Sequence, residues 1–291
     1  MSKQHKMKIL IAFLVLYILA FFCVACKLTK TESIKAFQAM PLNHRTQIPQ
    51  NKPTLLSMLK TATKPMGTTM YVYGGGWNEE DTGSGKETTS MGVSKEWEKY
   101  YKQQNADYNV NQSSYQIHEG LDCSGYIGWI LYNSFHSKDG EEGYVMKAED
   151  MAKVFSQKGW GTYISKNEVK DYQPGDIMSS DCEDCAHVYM VVASCEDGSV
   201  LLLHSYPQGV QLNGTIDKYG NQQSEAVKLA QKYMSQYRSE WTQKYPLEIM
   251  DRKFLTHYVQ MRWDINDKGI IKDPDHLKEK SAEEILQLIF S

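Results

Sequence analysis

The chain begins with an apolar run. Whether this run lies in a membrane or in a folded core decides which part of the chain can form the fold. Residues 9–26 are eighteen consecutive apolar positions, preceded by Lys3, Lys6 and Lys8. A membrane-spanning helix needs about 17 to 25 residues, and lysines in front of such a helix favour a cytoplasmic N-terminus with the rest exported. The sequence therefore predicts that residues 1–26 anchor the chain in a membrane and that the folded part begins later.

Two other interpretations of this run stay open. Val24-Ala25-Cys26 places a small residue before a cysteine that could carry lipid, as in a lipoprotein signal, and the run could also be a buried core helix. Residues 27–53 are polar and mixed in charge, which is typical of a tether. We expect a single-pass or lipid-anchored protein of the cell membrane, with its folded domain on the extracellular side.

The charge balance argues against nucleic acid as a partner. The 32 Lys and Arg residues nearly offset the 35 Asp and Glu residues, leaving a formal charge of -3. No strong positive field would attract a polyanion. With 41% apolar residues, the part after residue 53 has enough material for one packed domain.

A cysteine stands where a helix is predicted to begin. Asp122-Cys123-Ser124-Gly125 precedes apolar positions at helical spacing that would bury one face, among them Tyr126 and Ile130. Unpaired backbone N–H groups in the first turn lower the pKa of a thiol, and the thiolate is the attacking species in cysteine catalysis. The alternative is a small buried cysteine without chemistry.

Two histidines lie on a predicted hairpin. Residues 187–194 and 200–206 are rich in Val, Leu and Met and flank an Asp-Gly turn signal. With a two-residue turn, Val191 would oppose His204, and His187 would point to the same side as His204. The two imidazoles would then be offset by about 13 Å, so that a bulge is required to bring them together.

The ordered motifs resemble those of NlpC-type cell-wall cysteine peptidases. The motifs are Tyr71-Val72-Tyr73-Gly74-Gly75, Asp122-Cys123-Ser124-Gly125, Gln173-Pro174-Gly175-Asp176, His187-Val188 and Leu203-His204. The resemblance covers residues 54–215 and implies a papain-like α+β fold, with the nucleophile helix packed on an antiparallel sheet. It implies hydrolysis of peptidoglycan stem peptides, at bonds of the γ-D-glutamyl-diamino acid type, without a metal or other cofactor.

The resemblance also implies residue roles. Cys123 would be the nucleophile, His187 the general base and His204 the residue that orients it. Tyr71, Asp122 and Ser124 would line the cleft and bind the free amino end of the peptide. Each of these three also has a structural alternative: Asp122 caps the helix, Ser124 bonds to the backbone and Tyr71 packs. Asp176 fits a turn before a strand and receives no catalytic role.

The chain departs from the family pattern in two places. Residues 77–119 form an insertion, with one short helix predicted over 96–104, which would lie beside the cleft. Residues 216–291 form a C-terminal helical extension, with helices over 224–245 and 282–290 and a strand-like segment over 258–263.

Two other functions remain open. Cys182 and Cys185, close to His187, could bind zinc with His204 as a further ligand, form a disulfide or redox pair, or stay inert. A non-catalytic module that binds the cell wall could keep the same cleft without cleaving anything.

Overall fold

The computed structural model describes residues 52–76, 92–114, 116, 118–135, 144, 146–180 and 186–291. The predicted anchor, nearly all of the tether, part of the insertion, and Cys182 and Cys185 lie outside the described residues. Within the described ranges, no helix is both long enough and apolar enough to cross a bilayer.

The fold is α+β and is built on a mixed sheet. Its strands are β1 (Met70–Tyr71), β2 (Gly120–Leu121), β3 (Gly161–Ile164), β4 (Ile177–Ser180), β5 (Val188–Ser194), β6 (Val200–Tyr206), β7 (Gly209–Gly214) and β8 (Tyr258–Trp263). They pair in the order β2-β1-β7-β6-β5-β4-β8-β3. The β1–β2 pair is parallel, whereas the other neighbours are antiparallel. The predicted hairpin strands β5 and β6 are confirmed.

Eight α-helices surround the sheet in the described residues. They are α1 (Leu55–Ala62), α2 (Lys95–Gln103), α3 (Cys123–Phe135), α4 (Met151–Gln157), α5 (Glu225–Tyr237), α6 (Ser239–Lys244), α7 (Lys253–Thr256) and α8 (Ala282–Phe290). Two of them begin with a capping box, Thr54 with Ser57 for α1 and Ser281 with Glu284 for α8. Such boxes satisfy two N–H groups that a helix start leaves unpaired.

Helix α3 packs on β5 and β6 and is buried around most of its circumference. The expectation of a single buried face was therefore wrong. The insertion packs against α3: the Trp129 indole donates a hydrogen bond to the Gly92 carbonyl, and the Asn133 amide oxygen accepts one from the Gly92 N–H.

Residues 216–291 belong to the sheet as well as to the helical layer. Strand β8 lies between β4 and β3, so the strand predicted over 258–263 is confirmed and belongs to the main sheet. The single helix predicted over 224–245 is in fact two helices, because the chain breaks at Arg238. The Arg238 guanidinium binds the carbonyls of Met66 and Thr63 just after α1.

The two sheet faces bury separate apolar clusters. The larger cluster contains Cys123 and the α3 side chains, with Val188 and Met190 of β5. The smaller contains Tyr189 of β5 and Tyr258 of β8, with Phe254 of α7 packed against it. The extension therefore supplies the cover for the face that α3 leaves open.

The hairpin register differs from the prediction. Ala193 pairs with Leu201 near the turn, but Met190 pairs with Leu203, and the register shifts between Val191 and Ala193. The predicted pairing of Val191 with His204 was therefore wrong, whereas the required bulge is present. Continuing the observed register places Tyr189 opposite His204. The offset of His187 from His204 is then two residues, about 7 Å.

Candidate active site

Cys123 is the first residue of α3 and is 6% exposed. Asp122 caps this helix: its Oδ1 accepts hydrogen bonds from the Gly125 N–H at 2.6 Å and from the Ser124 hydroxyl at 2.9 Å. The Asp122 N–H donates to the Gly75 carbonyl at 2.8 Å. A Cβ on Gly125 would collide with that same carbonyl. The glycine run and the Asp-Cys-Ser-Gly motif therefore fit each other as two backbones in contact.

The thiol is not activated by this position. Burial raises the pKa of Cys123 to about 12, and the nearby Asp122 raises it further, against the N–H groups of Val188, Ser124 and Cys123 itself. The expectation of a lowered thiol pKa was wrong, because the loss of solvent outweighs the helix terminus. Cys123 is therefore a protonated thiol at neutral pH.

His187 and His204 form a buried pair. The His187 Nε2 lies 3.0 Å from the His204 Nδ1, and the His204 Nε2 lies 3.1 Å from the Asn213 Oδ1. The Asn213 Nδ2 in turn donates to the Glu248 carbonyl at 2.7 Å. His204 and Asn213 are 0% exposed and His187 is 7% exposed. The predicted contact between the histidines is present and continues to two residues that the sequence did not indicate.

Aromatic rings surround the histidine pair and remove it from solvent. The His187 ring centroid lies 5.3 Å from that of Tyr206, 5.7 Å from Phe254 and 6.3 Å from Tyr258. Burial lowers the pKa of His204 to about 3, against the hydrogen bond to Asn213. Burial and the neighbouring His204 lower the pKa of His187 well below its ordinary value. Both imidazoles are therefore neutral at neutral pH.

The Cys123 thiol lies against the backbone at the start of β5, one residue from His187 in the sequence. A thiolate at Cys123 would accept a hydrogen bond from the Val188 N–H, one residue after His187. Within the described part of the chain, no hydrogen bond joins the Cys123 thiol to the His187 imidazole. The two side chains pack with different apolar clusters and so approach β5 from its two faces. A hydrogen bond between the two side chains would therefore require this site to rearrange, and such contacts often tighten only when a ligand binds.

The three predicted binding residues lie around the thiol. Burial raises the pKa of Tyr71, and Cys123 and Asp122 raise it further, which places the phenol within electrostatic reach of both. Burial also raises the pKa of Asp122, against hydrogen bonds from Gly125, Ser124 and Gly74. Ser124 bonds to the Asp122 carboxylate and not to the backbone. The capping alternative for Asp122 is confirmed.

The insertion lies against the strand that carries Tyr71. The Tyr108 hydroxyl donates to the Tyr71 carbonyl at 2.7 Å, and Tyr73 forms a parallel bridge with Ser114. The extension holds the insertion from its other side, because the Tyr245 hydroxyl donates to the Asn105 carbonyl at 2.8 Å. The insertion and the C-terminal extension therefore contact each other.

Metal ligands are few among the described residues. Both ring nitrogens of His204 are engaged by protein groups, which leaves neither free for zinc. Cys195, Asp197 and Glu225 place possible ligand atoms within 4.8 Å of one another, but the Asp197 Oδ2 already accepts the Glu225 N–H at the start of α5. The zinc and redox interpretations of Cys182 and Cys185 fall outside the described residues.

Asn213 and Phe254 are site residues that the sequence analysis missed. The only signal for Asn213 is the alternation Val210-Gln211-Leu212-Asn213, which indicates a strand with two polar side chains on one face. Phe254 stands in a polar stretch of the extension and carries no signal of its own. No family model matches the chain, and no curated protein or solved structure matches it either.

Proposed function

We propose that this protein is a cysteine peptidase of the papain-like, NlpC type that cleaves peptidoglycan stem peptides outside the cell. One observation carries the proposal: a thiol at a helix start lies against the residue that follows a buried histidine, and that histidine is held by a second one 3.0 Å away. This is the set of groups that nucleophile, base and orienting residue require.

The proposed reaction proceeds through a thioester. As the substrate carbonyl enters, the Cys123 sulfur attacks its carbon and the thiol proton passes to the Nδ1 of His187. The N–H of Cys123, at the start of α3, donates to the oxyanion. His187 then gives its proton to the leaving amine as the C–N bond breaks. Water attacks the thioester, His187 takes one of its protons and returns it to the departing sulfur.

The neutral state of the site fits attack coupled to proton transfer. A thiol with a raised pKa is a strong nucleophile once it loses its proton, and a neutral imidazole is a competent acceptor. Tyr71, Asp122 and Ser124 would bind the free amino end of the stem peptide. The apolar N-terminal segment would hold the domain at the outer side of the membrane, close to the wall.

The proposal is tested with the full-length chain in detergent and purified peptidoglycan. Mass spectrometry of the released fragments identifies any bond that is cut. We expect new fragments with the unmodified chain, none with Cys123→Ala, and undiminished cleavage with the control Cys195→Ala, which removes the other described free cysteine. Cleavage that survives Cys123→Ala would contradict the proposal.

A non-catalytic wall-binding module is the second candidate. Two observations favour it: the thiol pKa is raised, and among the described residues no hydrogen bond joins the thiol to the His187 imidazole. A binding cleft needs neither a low thiol pKa nor such a hydrogen bond. Sedimentation of the chain with insoluble peptidoglycan separates the two candidates. Binding that is unchanged by Cys123→Ala, with no fragments from any wall type, would replace the peptidase by the binding module.

A further inference from the structure

We infer that Asn213 is a positioning residue that sets the tautomers of both site histidines and so leaves the Nδ1 of His187 unprotonated. The inference deepens the proposed function, because an unprotonated Nδ1 is what a general base at His187 requires. It is argued from the hydrogen bonds that lead from Glu248 to His187.

The orientation of the Asn213 amide follows from its outer partner. Its Nδ2 lies 2.7 Å from the Glu248 carbonyl, and a carbonyl oxygen can only accept a hydrogen bond. The amide nitrogen must therefore face Glu248. The amide oxygen consequently faces the His204 Nε2 at 3.1 Å.

The tautomer of His204 follows from that orientation. An amide oxygen can only accept, so the His204 Nε2 must carry a proton and donate it. The imidazole is neutral, because burial lowers its pKa to about 3. A neutral imidazole holds one N–H, so the Nδ1 of His204 has none and acts as an acceptor.

The same reasoning gives the tautomer of His187. Its Nε2 lies 3.0 Å from the His204 Nδ1, which can only accept, so the Nε2 of His187 carries the proton. Its Nδ1, on the opposite side of the ring, is left with a lone pair. The reverse assignment fails, since it would end with a lone pair on the His204 Nε2 facing a lone pair on Asn213.

The three residues lie on neighbouring parts of one sheet, with His187 directly before β5 and the other two on β6 and β7. His204 lies on β6 beside Gln211 of β7, and Asn213 lies two residues further along β7 on the same face. All three side chains are buried, so water cannot replace a lost partner easily. A buried imidazole without a fixed neighbour would populate either tautomer.

Nuclear magnetic resonance of the full-length chain, labelled with nitrogen-15 at histidine, reads these tautomers directly. His187→Gln and His204→Gln assign the signals. At pH 7 we expect both rings to show a protonated Nε2 and an unprotonated Nδ1. A protonated Nδ1 on either ring, or exchange between the two forms, would overturn the inference.

A variant of Asn213 tests its role. Asn213→Leu removes the acceptor, so the His204 and His187 signals should become mixtures of both tautomers. Hydrolysis should fall about 100-fold or more, as expected for a base held in the wrong tautomer. Unchanged spectra in Asn213→Leu would contradict the assigned role.

A matched control separates positioning from packing. Asn133 is another buried asparagine, bonded to Gly92 and Trp129 on α3, and Asn133→Leu should leave the histidine spectra unchanged. A tautomer change in Asn133→Leu would mean that any loss of packing disturbs the pair, which contradicts a specific role for Asn213.

The prediction for the tautomers and the prediction for hydrolysis can fail independently of each other. If both rings are Nε2–H and Asn213→Leu mixes their tautomers but no wall fragment appears, the role of Asn213 stands and the peptidase proposal falls. If fragments appear but the rings are in the other form, the peptidase stands and the role of Asn213 falls.

Discussion

The site has a thiol side, which is Cys123 at the start of α3 with its Asp122 cap, and a histidine side, which is the hydrogen-bonded set from Glu248 to His187. The two sides are pre-organised for the proposed reaction to different degrees. The histidine side is a continuous set of hydrogen bonds from Glu248 through Asn213 and His204 to His187. The thiol side has the helix start and its cap, yet burial raises the pKa of Cys123 to about 12. The proposed base is therefore held in place before any substrate would bind, whereas the proposed nucleophile still holds its proton.

The difference comes from what surrounds each group. Neutral imidazoles suit an aromatic, solvent-free setting, because burial disfavours only their charged form. The same loss of solvent disfavours a thiolate. In the proposed reaction, the thiol would stay protonated at rest and lose its proton only when the base and the substrate carbonyl approach it together.

Loss of the base should have the largest effect on the proposed reaction. His187→Gln should lower kcat by about 10²- to 10⁴-fold, because general-base catalysis contributes that much. Fragment release from peptidoglycan measures it, with the exposed His257→Gln as control. A loss under tenfold would mean that the prepared histidine side is not used.

Loss of a buried acid outside the site should affect stability instead. Asp176 is 1% exposed and pairs with Arg262 at 2.8 Å, whereas Asp171, which binds the same guanidinium, is 58% exposed. Asp176→Asn should lower the free energy of unfolding by about 3 kcal/mol, since it leaves a half-buried charge with less compensation.

The matched variant Asp171→Asn should cost less than about 1 kcal/mol, as for an exposed pair. Both variants should retain cleavage per folded molecule, in line with the absence of a predicted catalytic role for Asp176. Urea unfolding measures the two costs, and equal costs would contradict the distinction by burial.

Acid should lower the free energy of unfolding through the two buried histidines. Burial depresses the folded-state pKa of both histidines, to about 3 for His204, so below their ordinary pKa of about 6.5 the unfolded chain binds protons that the folded chain does not. Stability is therefore lost as pH falls below about 6.5, by about 1.4 kcal/mol per pH unit for each histidine.

Urea unfolding at pH 7 and pH 5 measures this dependence. The double variant His187→Gln with His204→Gln should lose less stability between the two pH values than the unmodified chain. An equal loss would show that the histidines are charged, or exposed, in the folded state.

The insertion should have the smallest effect. Tyr108→Phe removes a hydrogen bond to the Tyr71 carbonyl and should cost about 1 kcal/mol, with a few-fold rise in KM if Tyr71 binds the substrate as proposed. Tyr245→Phe removes a comparable bond to Asn105, farther from Tyr71 in the network, and should leave KM unchanged. Equal changes in KM for the two variants would show that the contact between the insertion and Tyr71 has no specific role in substrate binding.

The thiol side was the part most open to prediction from sequence. Its helix, cap and glycine contacts involve short motifs, and α3 begins at Cys123 as expected. The thiol pKa was predicted with the wrong sign, because the burial that dominates it comes from the packing of distant segments. The position of a helix terminus can be predicted from a sequence, whereas its exposure to solvent in the folded protein cannot.

The histidine side was predicted only in part. Both strands and the need for a bulge followed from the sequence, but the register did not, because the bulge lies among uniformly apolar residues between Val191 and Ala193. Asn213 reaches His204 across the pairing of β6 with β7, and the Glu248 carbonyl reaches Asn213 from a segment 35 residues further along the chain. Strand β8 was noticed as a segment, yet its place inside the sheet depends on pairing that local patterns do not encode.

The most direct test of the account is the pH dependence of Cys123 alkylation. The full-length chain is treated with iodoacetamide from pH 5 to pH 10, and peptide mapping reports the rate at Cys123 alone. The account predicts a rate that rises about tenfold per pH unit throughout, without a plateau, because the thiol remains protonated below about 12. A rate that is already constant below pH 7 would show a thiolate at rest and would contradict it.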